Sequence, residues 1–382
     1  MATPIQRTTS PAGKPLLRRL LVAQESGLVL VIILLMTVLT LFGGVKQVRV
    51  QDPGTKEWTK VEVNRFLDAQ NLVLLAKDAS FIAIMAVAMT AVIVMGGIDL
   101  SVGSIYALAA VLGAMALRAL QAQWLGVPYA DLATSAGGPG FLLSVLLGVT
   151  VCTGVGAACG AANGAMIVGL RVHPFIITLG MMAVLRGTVF VLTQGQSIFN
   201  FPESFTTGFF KLELHKLIPA DWAKGLYPMP VLIMLLIMCI GVFILSKTVL
   251  GRRVYAIGGN ETAARYAGVP VGRVKIIVYT LVGAMAGLSA AVYLGYLGAA
   301  EPNAGNGYEL RVIAAAVIGG ASLSGGRGSA LGAVLGAILI QLISNAMLIL
   351  EIDQAYTDIV MGAAIVAAVV LDQFKARLTP GR

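Results

Sequence analysis

Apolar residues in this chain come in long blocks and not in alternation. Residues 28–42, 81–97, 141–170, 229–245, 276–297 and 359–371 are nearly free of charge. A helix needs about 20 apolar residues to cross a ~30 Å hydrocarbon core, so these blocks predict membrane-spanning helices. Strands of an outer-membrane barrel would alternate apolar and polar positions over ~10 residues, and these blocks do not. The pattern therefore predicts an all-α polytopic membrane bundle of about ten spans: 26–44, 79–97, 101–120, 141–168, 174–193, 229–246, 275–298, 309–322, 329–350 and 356–372. The span at 309–322 is short, and Gly319, Gly320, Gly325, Gly326 and Gly328 follow it closely. That spacing, like the one around Gly96, Gly97 and Gly103, predicts broken or re-entrant segments. Such backbone is tolerated at membrane depth only where protein or a water-filled cavity surrounds it.

The two broken regions resemble each other. Residues 96–114 align without gaps to 319–337 at a constant offset of 223, with 12 of 19 positions identical. Two Gly/Ala-rich helices share a narrow alphabet, so chance accounts for part of the match. The functional alternative is an internal repeat, because interrupted segments in corresponding halves of a chain point to a transport pathway. An even number of predicted spans separates the copies, which would make them parallel. Glycine ladders at Gly156/Gly160/Gly164, Gly283/Gly287 and Gly328/Gly332/Gly336 place small residues on single helix faces. In lipid, helices associate by close contact, and such ladders permit it.

Composition agrees with the blocks. The 382 residues are 58% hydrophobic and 12% charged, with a mean hydropathy of +0.88. A soluble domain carries roughly 25% charged residues. The net charge of +9 fits Lys and Arg retained in cytoplasmic loops better than a nucleic-acid surface. Lys247, Arg252, Arg253, Arg265 and Arg273 stand against the single acid Glu261 in 247–274. That loop, the turn near Arg171 and the turn near Arg327 are therefore expected on the cytoplasmic side with both termini. The expected organisation is a cytoplasmic tail at 1–25, a transmembrane domain at 26–372 carrying the cytoplasmic loop 247–274, and a cytoplasmic tail at 373–382. The basic start of the chain is read as leading into an uncleaved first span, because its apolar run is long and no clean small-residue cleavage site follows. Cys152, Cys159 and Cys239 lie in apolar runs without metal-ligand spacing and are read as small buried side chains.

A few polar residues inside this apolar chain are candidates for function. Asp99 and Ser101 lie between two spans, where either can cap the following helix. An ionisable residue at membrane depth is also a pathway candidate, and the two roles are compatible. Gly103 lies just beyond them, and Ser322 and Ser324 occupy the second copy of the break. Glu309 and Arg311 open the short span, and Arg186 must pair, snorkel or line an aqueous cavity. In the basic loop, Asn260 is an N-cap candidate, Glu261 suits the first helical turn and Ala263, Ala264 and Arg265 follow. Gly268 can end that helix in a left-handed conformation, and Pro270 stops it. A helix of about two turns there is marginal alone and needs docking to persist. No phosphate loop ending in Gly-Lys-Ser/Thr occurs, and His173 and His215 belong to no metal or nucleophile motif. No catalytic or metal site is expected.

Four segments carry a family resemblance. They are Gly97-Ile98-Asp99-Leu100-Ser101-Val102-Gly103-Ser104, Pro174-Phe175-Ile176-Ile177-Thr178-Leu179-Gly180 with Arg186-Gly187, Gly251-Arg252-Arg253-Val254-Tyr255-Ala256-Ile257-Gly258-Gly259-Asn260, and the stretch from Tyr308-Glu309-Leu310 through Ala321-Ser322-Leu323. In this order the chain resembles, from about residue 64 to 372, the membrane-spanning permease subunits of bacterial ribose/xylose-type ABC sugar importers. The resemblance implies a bacterial cytoplasmic (inner) membrane location and a pathway between two permease subunits, identical or related. It also implies a cytoplasmic ABC ATPase that binds ATP and Mg, and an extracytoplasmic sugar-binding protein that delivers a monosaccharide. No cofactor is implied for this chain itself. Residues from Glu261 to Gly268 look like the loop by which such permeases dock their ATPase, departing from the usual pattern by one residue between the Glu and the Ala pair. Arg311 stands where these permeases often carry an acidic or neutral residue. The competing reading is an ion-coupled secondary transporter with Asp99 or Glu309 as its coupling carboxylate.

Overall fold

The first described helix, α1 (Gln24–Phe42), is apolar nearly throughout and ends at the glycine pair Gly43 and Gly44, the latter at φ 71°. The computed structural model describes residues 24–51, 58–135, 137–216, 218, 224–353 and 355–378. Most of the expected N-terminal tail and the last four residues lie outside them. Next comes an antiparallel hairpin, β1 (Val45–Gln51) and β2 (Trp58–Asn64), with Val48 facing Val61 across the strands. Asn64 fastens it by donating from Nδ2 to the Thr40 carbonyl (2.8 Å), and Lys46 pairs with Asp68 at 2.7 Å.

The remaining helices are α2 (Ala69–Val94), α3 (Val102–Leu125), α4 (Phe141–Leu170), α5 (Pro174–Thr193) and α6 (Met229–Lys247). They continue with α7 (Val249–Gly259), α8 (Glu261–Tyr266), α9 (Val271–Leu297), α10 (Tyr308–Ile318), α11 (Ala330–Ile349) and α12 (Ala355–Leu378). Among the described residues eight of these, α1 to α6, α9 and α11, are long and apolar enough to cross a membrane. The α10 helix is different. Its 11 residues reach about 16 Å at 1.5 Å per residue, half of a hydrocarbon core. The segment 309–322, expected to be broken, is a short helix that ends at Ile318 and is followed by an irregular stretch.

The central helices α2, α3, α9 and α11 are mostly buried, while α1, α4, α5 and α6 present much of their surface outward. The glycine ladders explain how the layers meet. Gly156, Gly160 and Gly164 of α4 lie against Gly283, Gly287 and Tyr279 of α9, so that a Cβ on Gly160 would overlap the Tyr279 carbonyl. A second seam joins α10 to α11, where Gly332 and Gly336 sit on the backbone of Gly319 and Ala315. Cys152 is buried beside Gly113 and Gly287, but Cys239 is exposed on α6. The expectation that all three thiols are buried holds for Cys152, while Cys159 is half-buried and Cys239 is exposed because its helix is packed on one side only.

The ends of the bundle are distinct. At one end the hairpin joins the close of α11, where Arg65 donates to the Ile349 carbonyl and pairs with Glu351 at 2.7 Å. At the other end lie the turn at Arg171, helices α7 and α8, and the loop containing Arg327. Glu25, at the start of α1, belongs to this second end because it accepts from the Ser329 hydroxyl at 3.0 Å.

The seam gives opposite expectations for one substitution at two positions of α4. Gly154 has open space around it, so Gly154→Ala should be neutral or stabilise by up to ~1 kcal/mol through helix propensity. Gly160→Ala forces α4 from α9 and should cost about 1–3 kcal/mol. Thermal melting of the two purified variants in one detergent checks the pair; equal behaviour would mean that α4 and α9 are not held at this distance.

Candidate functional site

Both breaks end their preceding helix in the same way. After α2, Gly96 N–H bonds to the Ile93 carbonyl and Gly97 N–H to the Val92 carbonyl, with Gly96 at φ 81°. After α10, Gly320 N–H bonds to Val317 and Ala321 N–H to Ala316, with Gly320 at φ 99°. Each is a glycine-terminated helix end in which paired bonds close the last turn. The structural offset is 224, one more than the sequence alignment, and the second break is longer because α11 starts only at Ala330. The breaks touch directly: Gly326 N–H donates to the Val94 carbonyl at 2.8 Å.

The expected pathway residues fall in three neighbouring places. Asp99 and Ser101 form the first, and both are fully buried. Asp99 Oδ1 accepts from the Ser101 backbone (2.9 Å) and hydroxyl (2.6 Å), and Asn163 of α4 donates to Ser101 Oγ at 2.8 Å. Ser101 is the N-cap residue of α3, yet its side chain makes no cap bond, being held by Asp99 and Asn163 instead. Asp99 Oδ2 and Asn163 Oδ1 have no hydrogen-bond partner among the described residues. Asn163 was not singled out in the sequence, although an amide inside a glycine ladder was a signal that could have found it.

Gly103, Glu309 and Arg186 make the second place. Gly103 packs against the Gly305 backbone and the Glu309 side chain, so closely that a Cβ there would meet Glu309 at 2.6 Å. Glu309 stands in the first turn of α10, where a carboxylate suits the helix dipole. Arg186 donates from Nη1 to the carbonyls of Pro302 (3.1 Å) and Ala304 (2.8 Å). Arg186 is thus held by two backbone carbonyls of the loop before α10 and makes no ion pair among the described residues. Ser322 and Ser324 form the third place, Ser322 buried and Ser324 exposed.

The third place is tied to the basic loop. Tyr255 of α7 donates to the Gly328 carbonyl at 2.7 Å, and Gly258 packs between the Val94 carbonyl and the 325–326 backbone. Then α8 begins, capped by Asn260 Oδ1, which accepts from Ala263 N–H at 2.9 Å. Gly268, at φ 80°, follows the helix end, and Val269 N–H returns to the Ala264 carbonyl. Glu261 ties α8 to α9 through Lys275 (2.8 Å) and to Arg265 (3.0 Å). The Lys275 hydrogen bond holds the Glu261 carboxyl below the usual carboxylate range. Its anchoring is therefore present at neutral pH and lost as pH falls through that lowered value. Ala264 is buried against the protein itself, whereas Tyr266 is 89% exposed. Ala264 thus faces the chain's own packing, and the outward residues of α8 are Thr262, Ala263, Arg265 and Tyr266. Tyr266 was missed in the sequence because the resemblance drew attention to the Ala pair. Among the described residues no cluster of ligating side chains suits a metal ion.

Comparison with known proteins follows the same outline. Residues 71–369 match the family model described as "Branched-chain amino acid transport system / permease component". The ribose import permease protein RbsC of Escherichia coli (strain K12) is 37% identical over 311 residues, covering 81% of this chain and 88% of that protein. The D-allose transport system permease protein AlsC of the same strain is 35% identical over 308 residues, covering 81% and 85%. The fructose import permease protein FrcC of Rhizobium meliloti is 33% identical over 313 residues, covering 81% and 79%. No solved structure matches.

Arg186 provides a test of the geometry alone. Removing its guanidinium in Arg186→Ala leaves the Pro302 and Ala304 carbonyls without their donor, at about 1–3 kcal/mol for a buried acceptor. The loop 298–307 should then exchange its amide hydrogens faster while α9 keeps its protection. Unchanged exchange in the loop would show that Arg186 does not hold it.

Proposed function

From the premise that this chain belongs to the permease-component family of branched-chain amino acid transport systems, we propose that it lines the monosaccharide pathway of an ATP-driven importer. The protein is the membrane-spanning subunit of an ABC transporter and works with an ATPase and a solute-binding protein. The family description speaks of amino acids, but the similar permeases carry names of ribose, allose and fructose import. Those names support a sugar cargo. The observation that carries the mechanism is the direct contact of both helix breaks with α7, next to α8.

The basic end of the bundle is assigned to the cytoplasm, since Lys and Arg are retained there. With Glu25 at that end, α1 runs outward and the hairpin faces the external side. Loop 298–307 and α10 together then make an eighth crossing and α12 a tenth, which supports the ten-span reading with both termini inside. In this frame α8 is the element that docks the ATPase, with Asn260, Glu261, Ala263, Ala264, Arg265 and Gly268 building it and Tyr266 facing the partner. Gly258 and Tyr255 pass its displacement to the breaks around Asp99, Ser101, Ser322 and Ser324. The pathway itself lies between this chain and a second permease subunit, a further copy being the simplest choice.

The decisive experiment reconstitutes the chain with its ATPase and a sugar-binding protein and measures sugar uptake. Uptake should require ATP; uptake that survives without ATP and collapses with the ion gradient would replace this reading by secondary transport. Tyr266→Ala should reduce ATPase co-purification about tenfold or more, as truncating an exposed aromatic anchor does at interfaces. Ala264→Trp should instead disturb the chain's own packing and lower its melting temperature. Wild-type ATPase association in Tyr266→Ala would move the docking surface elsewhere.

A further inference from the structure

A polar cavity of 360 Å³ lies between α2, α10, α11 and α12, near the hairpin end, and of the candidate residues discussed above Arg311 alone lines it. Toward the hairpin end it is lined by Asn71, Asn345 and Thr357. Farther along the same helices it is lined by Asp78, Gln341, Ser344 and Arg311. Asp78 is nine residues beyond the start of α2 and Gln341 eight before the end of α11, about 14 and 12 Å along their helices. The cavity thus descends from one end of the bundle to about the middle of a ~30 Å core. Polar side chains at that depth are costly unless they serve one another or water.

Here they serve one another only in part. Asn71 and Asn345 form a reciprocal amide pair at 2.6 and 3.3 Å, which ties α2 to α11 beside the cavity. Asp78 is paired with Lys77 at 3.0 Å, and Lys77 in turn lies over the Tyr296 ring at 5.1 Å. The Arg311 guanidinium stands 6.0 Å from the Tyr308 ring, and no carboxylate is paired with it among the described residues.

We propose that this cavity is a binding site for the transported polyol on the external half of its route, with Arg311 and Gln341 as the contacts that hold it. The inference rests on the sugar-importer reading above. Its chemistry follows from the lining. Amides and hydroxyls both donate and accept, which matches a ring of hydroxyl groups that do the same. Leu74, Leu75 and Leu348 supply apolar patches for the C–H faces of such a ring. The volume falls at the small end of the ~300–1,000 Å³ range of small-molecule pockets. An amino acid would need a free carboxylate for its ammonium group, and Asp78 is already neutralised by Lys77.

The test uses the full transporter in lipid nanodiscs, with Cys152, Cys159 and Cys239 replaced by alanine and Ser344→Cys added. A small water-soluble thiol reagent is applied with D-ribose, D-xylose, D-fructose or L-leucine. Labelling should proceed without ligand and slow about tenfold in at least one sugar, with no effect of leucine. In parallel Arg311→Gln should lower sugar uptake about tenfold, the loss of a charge-assisted hydrogen bond, while ATPase association and thermal stability stay unchanged. Absence of any labelling overturns the proposal, because the cavity is then closed to water. Labelling indifferent to every sugar, in a transporter that still imports sugar, overturns the site and leaves the transport reading standing. Protection by leucine overturns both.

Discussion

Inside a bilayer every backbone polar group must find a partner within the protein, and this requirement governs where the chain is allowed to stop being helical. Two helices, α2 and α10, end at the same end of the bundle and free carbonyl and N–H groups there. These groups are paired across the breaks: Gly326 N–H meets the Val94 carbonyl, Tyr279 donates to the Ile98 carbonyl at 3.2 Å, and Tyr255 to that of Gly328. None of these bonds belongs to a single helix. The breaks are therefore possible only as an assembly, and separating any two of the elements leaves polar groups unpaired.

That dependence is what makes the arrangement useful for transport. A helix as short as α8 carries too few internal bonds to persist on its own, so its position is set by what it touches. On one side it is held by Asn260, Lys275 and α7; on the other it offers Tyr266 outward. In the proposed coupling, a displacement imposed at Tyr266 would reach Val94 and Gly326 through Gly258, whose lack of a side chain lets three backbone segments meet. Side chains at this junction would act as cushions. Backbone in direct contact transmits movement with little slack, and interiors packed this closely switch between discrete arrangements.

The helical class, the short capped helix at 260–268 and the glycine seams were legible in the sequence because each depends on local spacing. Gly156, Gly160 and Gly164 announce a close approach whatever their partner is, and Asn260 and Gly268 announce the ends of α8. What was not legible depends on three-dimensional neighbours. The hairpin at Val45–Asn64 was hidden because its charges read as an ordinary external segment, although Val45, Val48, Val61 and Val63 carry the β signal. The partners of Arg186 were hidden because carbonyls have no sequence signature. The inward face of Ala264 was hidden because six residues are too few for a periodic pattern.

The two arginines near the bundle's middle show how one residue type serves two ends. Arg186 donates from one guanidinium nitrogen to both the Pro302 and Ala304 carbonyls, so it fixes the loop that leads into the half-helix α10. Arg311, one turn into that same half-helix, has the Tyr308 ring beside it and makes no ion pair among the described residues. Placing its guanidinium there is possible because α10 is short: a full-length helix would have carried this turn to the far end of the bundle. The half-helix thus does two things with one interruption. It brings a loop down to where Arg186 can hold it, and it sets a cation in the lining of a polar cavity. A chain built only of complete crossings would have to bury that charge in hydrocarbon, at a cost that few residues at this depth can offset.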